Sequence, residues 1–123
     1  MTTPKTAPSF PHVGRDLRVR GKILRSRVYL PAHQPGLADD GLPGERYIAY
    51  HRQRARAGLG MQITGATPVI WSDVWADGLT LVNIDDRIVP GYRRLAAEVI
   101  DQEQSFMLPA SAIASENFGE FNL

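Results

Sequence analysis

The chain is 123 residues long, 43% hydrophobic, 22% charged and 8% aromatic, the composition of one globular domain rather than of a disordered or fibrous chain. It has no cysteine, which excludes a disulfide framework, a thiolate metal site, an iron–sulfur ligand set and a cysteine nucleophile within these residues. The net charge of +1 conceals a gradient, since residues 1–27 hold seven Lys and Arg against one acid and residues 72–123 hold three against nine.

No apolar run approaches the roughly 20 residues of a membrane span. The start, MTTPKTAPSFPHVGRD, has no signal-peptide core. The sequence therefore predicts a cytoplasmic protein with no membrane partner. A basic N-terminal arm suggests nucleic acid. Here, however, the basic residues alternate with Leu17, Val19, Ile23 and Val28, the pattern of a strand with one solvated face, and no aromatic residue is interleaved for stacking. No nucleic-acid partner is expected.

In chain order, residues 1–12 read as a flexible lead-in. Leu17–Val19, a turn at Gly21-Lys22 and residues 23–28 read as a β-hairpin, and residues 28–30 as a short strand stopped by Pro31. Residues 33–44 are rich in turn formers. Residues 45–57 read as a helix, with Glu45 in its first turn, arginines towards its end and Gly58 closing it. Tyr47, Tyr50 and Arg54 share one of its faces. The stretch GMQITGATPV, residues 60–69, reads as a buried strand centred on residues 61–64, and residues 71–83 as irregular and exposed. Asp85-Asp86 offers N-cap chemistry to a second helix, residues 88–100, with its stripe at Ile88, Tyr92, Leu95, Ala96 and Val99. A last strand falls at residues 106–108. Strands alternating with helices predict a parallel α/β fold over residues 13–108, with residues 109–123 as a tail beyond it.

Chemical motifs are sparse. There is no glycine-rich dinucleotide loop, phosphate loop, zincin helix or nucleophile elbow. No metal site is expected. His51, among arginines inside the first helix, reads as a surface or packing histidine. His33 differs, because it directly follows a strand expected to be parallel, and α/β folds bind ligands at the carboxyl ends of their strands.

The segment around His33 carries a resemblance. SRVYLPAH, then DGLP, then YIAYHRQRARAGLGMQITGATPV, then DDRIVPGYRRL resembles the N-terminal part of the Old Yellow Enzyme family, and within it the NADH:flavin oxidoreductases of the 2,4-dienoyl-CoA reductase, trimethylamine dehydrogenase and N-methylproline demethylase type. The most specific stretch is YHRQRARAGLG, residues 50–60. The resemblance implies the N-terminal portion of a (β/α)8 barrel: a hairpin at the barrel floor, about three strands and two helices. It also implies an FMN enzyme that passes hydride from NAD(P)H to the flavin and on to an activated alkene, or that oxidises an amine, with a small-molecule substrate. The implied flavin contacts are Pro31, Ala32, His33 and Gln34 at the first strand exit and Ala66 at the second.

The departures are specific. Gln34 stands where trimethylamine dehydrogenase has its flavin-linking cysteine, which implies non-covalent FMN. Pro109 stands where the family carries a flavin-binding glutamine, and Ile100 and Glu103 replace the usual histidine or glycine after the second helix. A whole barrel takes about 250 residues. The expectation is an N-terminal piece of such an enzyme, by truncation, frameshift or partial gene. The alternative is a non-catalytic remnant or half-barrel interaction module.

Overall fold

The computed structural model describes residues 10–69, 77–100 and 106–108. The lead-in up to residue 9 and the tail from 109 lie outside these. Among the described residues, two small sheets form. β1 (Leu17–Val19) and β2 (Lys22–Leu24) pair antiparallel, with Leu17 opposite Leu24. β3 (Tyr29–Leu30), β4 (Met61–Ile63) and β5 (Phe106–Leu108) form a parallel sheet in the order β3-β4-β5. Tyr29 lies opposite Met61 and Met61 opposite Phe106. Helix α1 (Glu45–Arg56) connects β3 to β4, and α2 (Ile88–Ile100) connects β4 to β5. The expected parallel α/β order is present.

The hairpin differs from expectation in two ways. Its turn is Arg20-Gly21, both at positive φ (44° and 78°), the twist that a two-residue hairpin loop requires. β2 ends at Leu24 rather than running on, because the next two side chains turn to α1. Arg25 donates to the carbonyls of Ala55 and Leu59, and Ser26 Oγ to that of Gly58 at 2.9 Å. Of the hairpin's apolar side chains only Leu24 is buried, whereas Leu17, Val19 and Ile23 are all exposed.

α1 buries Tyr47, Ile48, His51 and Ala55. The inner stripe is thus centred one position away from the expected Tyr47–Tyr50–Arg54 face, and Tyr50 and Arg54 lie at its margin. Gly58 takes φ +97° and donates to the Ala55 carbonyl, the left-handed stop expected of it. At the head of α2, Asp85 closes a turn onto the Arg87 amide at 3.0 Å instead of capping the helix from within, held there by the Arg87 guanidinium. Ile88, Leu95 and Val99 of α2 pack with Ile48, Tyr47 and Leu81 as the core.

Not all of the segment expected to be irregular and exposed is so. Residues 70–76 lie outside the described residues, but Thr80 and Leu81 are buried. Backbone bonds to the loop after β3 draw them in: Ala38 to Leu79 (3.0 Å), Gly41 to Gly78 (3.0 Å) and Val82 to Gly41 (2.8 Å). No helix among the described residues is long and apolar enough to cross a membrane.

On the outer side of the helix pair, Arg52 and Arg94 each bridge Glu45 of α1 and Glu98 of α2. The Arg52 hydrogen bond, followed by that from Arg94, holds the Glu98 carboxyl below its usual range. A depressed carboxylate adds stability above its unfolded pKa and loses it as pH falls through the folded value. Glu98→Gln should therefore lower the urea midpoint modestly at neutral pH and low salt. The difference should fade in acid and at about 1 M salt, where the Debye length shrinks to roughly 3 Å.

Candidate functional site

The exits of β3 and β4 lie side by side. Parallel pairing puts residues 31–34 next to residues 64–67, and Gly65 sits at the closest approach. A methyl group on it would strike the His33 carbonyl oxygen and meet Gln34 Oε1 at 2.7 Å. Only glycine lets the two backbones come this near. Gln34 Nε2 donates to the Ala66 carbonyl, tying one exit to the other. Thr67 Oγ1 donates to the Gly65 carbonyl at 3.1 Å. Pro31, Ala32 and His33 are exposed, while Gln34 and Ala66 are half-buried. The result is a rim of small side chains and open backbone.

His33 meets this rim through its backbone. Its ring turns to α1, where Nε2 contacts the Tyr50 hydroxyl and Nδ1 lies 3.4 Å from the Pro31 carbonyl. A carbonyl only accepts, so the Pro31 contact requires the proton on Nδ1, and Nε2 then accepts from Tyr50. The Arg54 guanidinium lies 3.2 Å from the centre of the Tyr50 ring and donates to the Tyr50 carbonyl at 3.0 Å. Tyr50 and Arg54 were placed on a helix face by their spacing. The hold of Tyr50 on His33 had no sequence signal, because it spans the intervening loop.

Beneath the rim runs a buried polar seam. His51 Nδ1 bonds Gln62 Oε1 at 2.9 Å, and Gln62 Nε2 donates to the His51 carbonyl at 3.0 Å. Tyr92 OH lies 3.4 Å from Thr67 Oγ1. Burial pushes the Tyr47 and Tyr92 phenols up, with the threonine bonds partly opposing this at Tyr92. Burial lowers the His51 imidazole, against the raising effect of the Gln62 bond. His51 is therefore a packing histidine. Gln62 and Thr64, polar at alternate positions facing the helices, were the available sequence signal for this seam.

No protein-family model matches the chain. Among curated proteins it is 34% identical over 85 residues to "Probable N-methylproline demethylase" of Rhizobium meliloti, covering 69% of this chain and 12% of the relative. It is 30% identical over 91 residues to "NADH oxidase" of Thermoanaerobacter brockii, covering 73% of this chain and 14% of that protein. The chain thus spans about an eighth of the length of these relatives. Among solved structures it superposes on Old Yellow Enzyme from a Pichia species with a TM-score of 0.68 and 20% identity, covering 80% of this chain and 25% of that one. Sequence and fold together relate the chain to the Old Yellow Enzyme and NADH:flavin oxidoreductase family.

Proposed function

We propose that this region is the N-terminal part of a (β/α)8-barrel oxidoreductase and that the β3 and β4 exits form part of its FMN site. The observation that carries the reading is the Gly65 pinch, which brings two strand exits within one hydrogen bond of each other and lines them with small residues. A flat ring can rest against such a rim, so these residues fit a flavin. Pro31, Ala32 and Ala66 would meet the ring with backbone and short side chains, and His33 with its backbone. Gln34 commits its N–H to Ala66, which leaves Oε1 as the acceptor it offers. Gln34 stands at the position of the linking cysteine, so FMN would be held non-covalently. When bound, FMN supplies hydride transfer from NAD(P)H to a small activated alkene, or from an amine. The relatives' names, an NADH oxidase and a demethylase, support this chemistry.

The grip of these residues alone is weak. Barrel phosphate sites are commonly built after strands 7 and 8, and the described residues hold three barrel strands. A few ring contacts do not offset an association cost of roughly 4–15 kcal/mol. The isolated chain should retain no FMN on dialysis at micromolar concentration and should have no reductase activity. In an NMR titration with FMN at roughly millimolar concentration, a weak-binding range, amide shifts should centre on Ala32, His33, Gln34, Gly65 and Ala66. Shifts centred elsewhere, or none, would overturn the site. Yellow protein at stoichiometric occupancy would overturn the weak grip.

A second reading, a non-catalytic half-barrel module, is favoured by the exposed apolar residues Val19, Ile23 and Tyr29. An absence of all FMN shifts would support it.

A further inference from the structure

We propose that the His51–Gln62 pair is a protonation-sensitive latch that holds α1 on β4 and releases it in mild acid. Both side chains are fully buried, His51 at 1% and Gln62 at 0% exposure. Their hydrogen bonds determine where each proton sits. The His51 carbonyl only accepts, so the Gln62 NH2 must face it, and the Gln62 oxygen then faces the imidazole. That oxygen only accepts, so Nδ1 carries the ring proton. The neutral ring is left with a bare Nε2, buried and without a protein partner among the described residues.

A second proton would have to go to that Nε2. The rings of Tyr47 and Tyr50 flank the imidazole at 4.8 and 5.1 Å between centroids. The charged or titratable groups bearing on it are Tyr47, Tyr50 and Arg54 from α1 and His33 from the loop after β3. Tyr92 of α2 stands behind Tyr47, and β4 and its exit contribute only uncharged Gln62 and Thr64. No carboxylate hydrogen-bonds the ring among the described residues. Glu45 and Glu98 are held by Arg52 and Arg94. An imidazolium here would be a desolvated cation beside an arginine, a state that a buried site disfavours strongly. Protonation is therefore coupled to opening, in which α1 leaves β4 and water reaches the ring.

The open form binds the proton at its ordinary pKa of about 6.5, and the closed form resists it. The latch is thus fully closed above about pH 6.5, and its opening constant rises about tenfold per pH unit below that until the closed form itself titrates. Opening also carries off Tyr50, the residue next to His51, and with it the bond that holds the His33 ring. The latch stands without any cofactor. Its consequence for flavin binding at the β3 exit rests on the reading above.

The test is amide hydrogen exchange of α1 in the full chain between about pH 7 and pH 5, the histidine range, corrected for intrinsic exchange. No FMN is added, so the outcome is independent of the flavin site. In the wild-type chain, protection of residues 48–55 should change little above about pH 6.5 and then fall towards tenfold per pH unit, roughly 25-fold in all between pH 7 and pH 5. In His51→Asn, whose amide N–H can replace Nδ1–H toward Gln62, it should stay flat. An equal acid slope in His51→Asn would overturn the latch. So would a His51 ring signal that titrates at the ordinary value while α1 remains protected, a measurement on the wild-type chain that decides the matter even if the variant does not fold.

Discussion

Gly65→Ala is expected to destabilise the chain by about 1–3 kcal/mol, the usual cost of forcing volume into a closed contact. The added methyl would meet the His33 carbonyl oxygen, which is backbone of the neighbouring strand exit and cannot rotate away. Gln34 Oε1 and Cδ, at 2.7 and 3.0 Å, close the other side. Relief requires the two exits to part, which breaks the Gln34–Ala66 bond as well. Gly14→Ala is the control, since a Cβ there has nothing within 4 Å and the backbone needs no positive φ. Urea midpoints of the two variants should differ clearly. Equal midpoints would mean that the strand exits do not touch as described.

Leu95→Ala should cost more, about 2–5 kcal/mol, through lost burial and the cavity left behind. Leu95 has no exposed surface and packs in the core that α1 and α2 share with Leu81. Domains of ordinary size are stable by roughly 5–15 kcal/mol, so this one truncation should remove a large share and shift thermal unfolding by many degrees. Val89→Ala, one helix face away and 37% exposed, should change little. A small loss at Leu95 would show that α2 does not pack on α1 through this residue.

The elements most legible in the sequence were those whose burial repeats with a regular period. The α2 stripe of Ile88, Leu95 and Val99 is buried as its spacing implies, and the order of parallel strands follows from the alternation of periods. Elements whose position depends on a distant partner were misjudged. β2 stops early because Arg25 and Ser26 reach carbonyls about thirty residues away. Leu81 is buried because a neighbouring loop pairs with its segment, and local hydropathy carries no record of that pairing. For the candidate site, glycine and alanine at the β4 exit marked where backbone lies open. The turning of the His33 ring onto Tyr50 depends on how α1 docks, a tertiary fact.

The bonds from Arg25 and Ser26 to the end of α1 also bear on cooperativity. Arg25 joins the Gly58 amide at the Ala55 carbonyl of the last helical turn, and Ser26 and Arg25 satisfy the Gly58 and Leu59 carbonyls of the turn after it. The chain leaving the hairpin therefore serves as the C-terminal cap of a helix that follows it by a whole loop. Neither part is complete alone. The hairpin exit has its anchor only while α1 is folded, and the end of α1 frays when the hairpin exit moves. Proteins open in contiguous cooperative units, and these bonds tie the hairpin exit to the last turn of α1. The hairpin exit and the last turn of α1 are thus expected to open together, although no strand pairing joins them.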